Sequence, residues 1–144
     1  MASTVEVEVI ERARGGTETI LVAEDDETLR KLATRILESA GYTVLLAANG
    51  QEALDVFKKQ TADVDLCLLD VVMPKMGGKA VYDALQQQNP RLRFLFSSGY
   101  SMNAIHKGFV LKKGIELIQK PYAPDTLLRR VRQVLDETHE EPVP

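Results

Sequence analysis

Five short apolar runs alternate along the chain with segments whose apolar residues recur at helical spacing, and few folds accommodate that alternation. Thr19–Ala23 (TILVA) is too short for a helix and reads as the first strand. Leu29, Leu32, Ala33, Ile36, Leu37 and Ala40 then share one helical face, and Gly41 stops that helix. Tyr42–Leu46 is the second strand, and Asn49-Gly50 opens a helix with Ala53, Leu54 and Phe57 inward. Val64–Leu69 is the third strand. A loop with Met73-Pro74 and Gly77-Gly78 leads to a helix carrying Ala80, Val81, Ala84 and Leu85 on one side, ended by Asn89-Pro90. Leu92–Ser97 and Ile115–Gln119 are the fourth and fifth strands, separated by a segment that Gly108 and Gly114 restrict to a short helix. The last helix begins near Pro124 and turns Leu127, Leu128, Val131, Val134 and Leu135 inward. Strands apolar on both faces imply a parallel sheet covered by helices on both sides. Right-handed crossovers then favour an α/β, flavodoxin-like doubly wound five-stranded parallel sheet of order 2-1-3-4-5.

Composition narrows the function classes. A formal net charge of −3 over 144 residues leaves no basic excess for binding nucleic acid through bulk charge. One cysteine, Cys67, excludes an internal disulfide framework and a multi-cysteine metal site, and it reads as a small core residue. No apolar run approaches the ~18 residues that span a bilayer, and the first residues carry acids where a signal peptide carries an apolar core. A cytoplasmic protein is therefore expected. Residues 1–17 read as an arm and linker, with Val5, Val7 and Val9 alternating as a short edge strand. Residues 18–137 form the domain, and 138–144 a flexible acidic tail.

In a sheet of this type ligands bind beyond the carboxyl ends of the strands, at the switch point between strands 1 and 3. Strand 1 delivers Glu24-Asp25-Asp26 to that edge, strand 3 Asp70, strand 4 Ser97-Ser98-Gly99, and strand 5 Lys120-Pro121. Each feature alone has an ordinary explanation. Acids suit a helix N-terminus, with Asp26 as the N-cap; a strand-ending Asp forms turns; Ser98 and Lys120 could be solvated loop residues. Their convergence is what carries chemistry. Three carboxylates gathered within a few ångströms repel unless a cation sits among them. Hard oxygen ligands with room for water suit Mg²⁺, and a long-stemmed lysine can reach the same crevice.

The set ILVAEDDETLR, LLDVVMPKMGG, FSSGYS and IQKPY, in that order, resembles the receiver domain of two-component response regulators over roughly residues 18–137. The resemblance implies that Asp70 is the phosphate-accepting aspartate. It implies that Glu24 and Asp25 are the acidic pair, Asp25 binding Mg²⁺ directly and Glu24 acting through water. Val72 would add its backbone carbonyl to the metal, Ser98 matches the family's hydroxyl position, and Lys120 matches its lysine. The donor implied is a phosphohistidine on a histidine kinase or histidine phosphotransfer domain, and Ser98 would turn inward to the new phosphoryl group with Gly99 leaving space beside it. The resemblance thus implies a phosphoacceptor that promotes its own phosphorylation and dephosphorylation, with any kinase activity lying in a parent chain.

Two positions depart from the pattern. Leu117 stands where the family's aromatic switch is usual, with Tyr100 and Tyr122 nearby but not in that place. Val72 offers no side-chain hydrogen bond to an attacking water. His106, His139, the Lys112-Lys113 pair, Met73 and Met76 are assigned no chemistry. GTETILVAEDDE and QKPYAPDTLLRRVRQVLD resemble the receiver joined to a hybrid sensor histidine kinase, which is the expected context, with no DNA-binding effector after Asp136 and no membrane insertion of this part. A stand-alone single-domain regulator is the alternative. Self-association is left open, at most as a weak homodimer. An aspartate-nucleophile phosphohydrolase fits less well, because Val72 occupies the position of its second acid. Neither GxGxxG nor GxxxxGK[ST] occurs to mark a nucleotide site.

Overall fold

The structure, a computed structural model, describes residues 15–59, 63–99 and 116–137. Five strands, β1 (Thr19–Ala23), β2 (Thr43–Ala47), β3 (Leu66–Asp70), β4 (Arg93–Ser98) and β5 (Glu116–Gln119), pair in parallel in the order β2-β1-β3-β4-β5. Among the described residues four helices accompany them: α1 (Glu27–Ser39), α2 (Gly50–Lys59), α3 (Gly78–Gln88) and α4 (Pro124–Asp136). The order is the expected one. The expected short helix between β4 and β5, together with Tyr100, His106 and Lys112-Lys113, lies outside the described residues, as do the valine arm and His139.

Strand alternation divides the core into two layers. Leu21, Ala23, Cys67, Leu69, Phe96 and Leu117 face Ala53 and Phe57 of α2 and Val81 and Leu85 of α3. Ile20, Val22, Leu66, Leu68, Leu95 and Ile118 face Ala33, Ile36 and Leu37 of α1 and Leu127, Val131 and Val134 of α4. Every residue of β3 is buried, as a central strand with helices on both sides requires. Cys67 is fully buried, and its thiol pKa is pushed far upward by desolvation. Met73 joins the first layer and Met76 packs against it.

The helix limits follow local chemistry. Asp26 caps α1 by accepting the Leu29 N–H at 3.0 Å. Gly41 follows the C-cap with φ +102°, a conformation that penalises a side chain. Asn89 closes α3, and Pro124 begins α4.

Several limits differ from expectation. β3 begins at Leu66 rather than Val64 and runs on to Asp70, and β4 includes Ser98. β2 runs over Thr43–Ala47, one residue later than expected. The Asp65 carboxylate accepts the Thr19 N–H at 2.9 Å, so a side chain meets a backbone donor where the ladder starts. Ala80 faces solvent instead of the core. It sits in the first turn of α3, before the helix settles on the sheet at Val81 and Leu85.

At the end remote from the acidic loops, Arg132 of α4 ties the start of the domain down. Its guanidinium donates to both carboxylate oxygens of Glu18 at 3.1 and 2.8 Å, to Gly15 O at 3.2 Å and to Tyr42 OH at 3.3 Å. The hydrogen bond from Arg132 holds the Glu18 pKa below its usual value, against the opposing effect of burial. Among the described residues no helix is long and apolar enough to cross a membrane.

Candidate functional site

Parallel strands all end on the same edge, so residues distant in sequence meet there. In the ladder Ala23 pairs with Leu69 and Asp70 with Ser97. The chain leaves β1 through Glu24 and Asp25 before α1 starts, which sets the acidic pair beside the end of β3. Gly78 lets α3 start close to that end, since a Cβ there would lie 2.6 Å from Asp70 O. A cis peptide links Lys120 to Pro121 after β5, and Lys120 N–H donates to Ser98 O at 2.8 Å.

The Lys120 side chain crosses this edge to the other two strands. Its Nζ donates to Asp70 Oδ2 at 2.9 Å and to Glu24 Oε1 at 3.0 Å. Asp70 is 3% exposed and Glu24 1%, so both carboxylates depend on this ammonium for charge compensation. Each has a further donor: Asp26 N–H reaches Glu24 Oε2 at 3.0 Å, and Val72 N–H reaches Asp70 Oδ1 at 3.3 Å. Burial pushes the Asp70 pKa up to about 7, with Glu24 adding to the rise and Lys120 opposing it. Burial also works against the Lys120 charge, but its hydrogen bonds to Asp70 and Glu24 outweigh that and keep its pKa above the ordinary lysine value.

Carboxylate oxygens of Glu24, Asp25 and Asp70 all lie within 4.8 Å of one another, and Asp25 is exposed. Three carboxyl groups share a single ammonium, so the cluster is short of positive charge. Hard oxygen donors open to solvent on one side suit a small divalent cation that keeps part of its water. The donor set therefore fits Mg²⁺.

Glu24, Asp25, Asp70 and Lys120 are thus brought together. Ser98 is buried at the end of β4, and a Cβ on the neighbouring Gly99 would meet nothing within 4 Å. Val72 is 54% exposed beside Asp70. Leu117, at the position where an aromatic residue is usual, is buried against the α2–α3 side of the sheet. Two features escaped the sequence reading. Arg30 donates from Nη1 to Glu24 O at 2.7 Å, and its only sequence signal is a basic residue one turn after an acidic N-cap. Ser97 Oγ and Tyr122 OH are both buried, and the serine hydroxyl opposes the rise that burial gives the tyrosine pKa, a juxtaposition no linear pattern announces.

Residues 20–132 match the response regulator receiver domain. The chain belongs to this family. As a receiver domain it is a part of two-component signalling, and receivers generally bind Mg²⁺ and interact with histidine kinases or phosphotransfer proteins. It is 34% identical over 122 residues to the sensor kinase CckA of Brucella abortus (strain 2308), covering 85% of this chain but 13% of that protein. It is 29% identical over 116 residues to the response regulator receiver protein CpdR of the same strain, covering 81% of this chain and 95% of the relative. Among solved structures, the CheX-CheY-BeF3-Mg complex of Borrelia burgdorferi contains a chain similar to this receiver, with TM-score 0.77 and 26% identity, covering 88% of this chain and 98% of that one.

Proposed function

We propose that this receiver accepts a phosphoryl group on Asp70 from a phosphohistidine of a partner histidine kinase or histidine phosphotransfer domain. The observation that carries the reading is the Lys120 ammonium set between the buried carboxylates of Asp70 and Glu24, with Asp25 in the same cluster. An Asp70 oxygen bonds to phosphorus as the phosphorus–nitrogen bond breaks, and the released imidazole keeps that electron pair and is reprotonated. The product is an acyl phosphate. Water attack at its phosphorus later releases inorganic phosphate and restores Asp70.

Lys120 offsets charge on Asp70 and on the transferred group, an electrostatic role suited to a buried position. Glu24, Asp25, Asp70 and the Val72 backbone carbonyl would hold Mg²⁺, which would supply positive charge to neutralise the phosphoryl group. Ser98 supplies a hydroxyl for a phosphoryl oxygen, shifting the population between two states of the β4–β5 face. The similarity to a protein complexed with BeF3 and Mg supports the metal assignment.

The similarity to a sensor kinase favours a hybrid histidine kinase as the parent, with the domain on its cytoplasmic side. Coverage of 95% of CpdR supports the second reading, a single-domain regulator acting through protein contacts. Neither reading calls for direct nucleic-acid binding or for membrane insertion of this domain.

The test is incubation with Mg²⁺ and acetyl phosphate or phosphoramidate, followed by intact-mass and peptide analysis. A single phosphoryl increment on Asp70, absent from Asp70→Asn, is expected. Label on another residue, or label that persists in Asp70→Asn, would overturn the assignment.

A further inference from the structure

The loop between β1 and α1 is tethered by a side chain to which phosphoryl transfer assigns no part. Arg30 lies one turn into α1, where its backbone N–H donates to Asp26 O at 2.8 Å. Its side chain doubles back against the direction of the helix. Nη1 donates to Glu24 O at 2.7 Å and also reaches Asp25 O at 3.5 Å. We infer that Arg30 is a positioning residue that fixes the two successive peptide groups after Glu24 and Asp25, and so presents the Asp25 carboxylate to a divalent cation. The inference rests on the metal-dependent reading above and deepens it.

Glu24 barely needs such help. Its N–H donates to Ala47 O at 3.0 Å, and its two carboxylate oxygens accept from Asp26 N–H and Lys120 Nζ. Asp25 differs, since its side chain is exposed and its carbonyl is met by the Arg30 guanidinium. A ligand residue in an open loop binds a cation best when its backbone is already in place, because ordering it on binding costs free energy. The planar guanidinium can span two neighbouring carbonyls from one fixed position.

Arg30 also carries a positive charge close to the acidic cluster, and charge alone would repel a cation. The two effects have opposite signs. If Arg30 acted only through its charge, Arg30→Met would bind Mg²⁺ more tightly. If it positions the loop, Arg30→Met binds more weakly although a repulsive charge has gone.

The experiment is a titration of the ¹⁵N-labelled protein with MgCl₂ at constant ionic strength, following the amide shifts of residues 24–26 and 70–72. The Arg30→Met midpoint is expected at about 10-fold higher Mg²⁺ than wild type. Arg30→Lys, keeping the charge and one donor, falls between them. Amide shifts in β3 and α4 report whether each variant is folded. Should Arg30→Met fail to fold, Arg30→Lys decides, and a wild-type midpoint there overturns the inference. An Arg30→Met midpoint equal to or below wild type also overturns it, while leaving the phosphoacceptor reading standing. No saturable shift in the wild type would overturn both.

Discussion

At the scale of single residues, the site is governed by how few charges compensate how many. Lys120 is the one cation hydrogen-bonded to the buried carboxylates of Asp70 and Glu24 among the described residues. Removing it leaves two like charges facing each other out of water, a costlier state than a hydrophobic pair of the same shape. Lys120→Met is therefore expected to lower the rate of phosphorylation by acetyl phosphate at saturating Mg²⁺ by about 100-fold or more. It should also lower the thermal midpoint measured without Mg²⁺. An unchanged rate, read by intact mass against time, would remove Lys120 from the mechanism. The types and strand-end positions of these residues are visible in the sequence, because parallel strands deliver their last residues to one edge. Arg30 was not, since a side chain folding back on two carbonyls depends on the angle at which α1 leaves β1.

At the scale of the element, short-range chemistry sets the limits. Asp26, Gly41, Asn89 and Pro124 punctuate helices where their backbone and capping preferences place them. Asp26→Ala removes the acceptor for Leu29 N–H and is expected to cost about 1 kcal/mol of unfolding free energy in urea. The same loop carries Glu24 and Asp25, so the loss of the cap should also raise the Mg²⁺ concentration needed for half-maximal phosphorylation. A loss confined to stability would show that the cap and the acidic pair are independent. Strand limits were less legible than helix limits. Extending β3 to Asp70 and β4 to Ser98 depends on pairing between neighbours, which has no local signal. Ala80 was misplaced because helical periodicity identifies a face but not which of its residues the sheet reaches.

At the scale of the whole molecule, α4 closes the layer that begins at Glu18. Glu18 has its pKa lowered by its hydrogen bonds with Arg132, so the folded state binds a proton less readily there than the unfolded chain. Its contribution is fully present above the ordinary glutamate pKa of ~4.3 and is lost as pH falls through the lowered folded value. Thermal midpoints of wild type and Glu18→Gln are accordingly expected to differ at pH 7 and to converge toward pH 3. A gap independent of pH would assign the effect to packing. Sequence alone determined the alternation of strands and helices, the division of apolar residues between two faces, and which residues arrive at the carboxyl edge. These follow from local periodicity and from the handedness of the chain, which act along the sequence. Tertiary structure alone decided that Lys120 spans Asp70 and Glu24, that Arg30 ties the acidic loop, and that the Ser97 and Tyr122 hydroxyls are buried together. Such contacts depend on distances of tenths of an ångström between elements far apart in the chain, and these exist only once the sheet and its helices have packed.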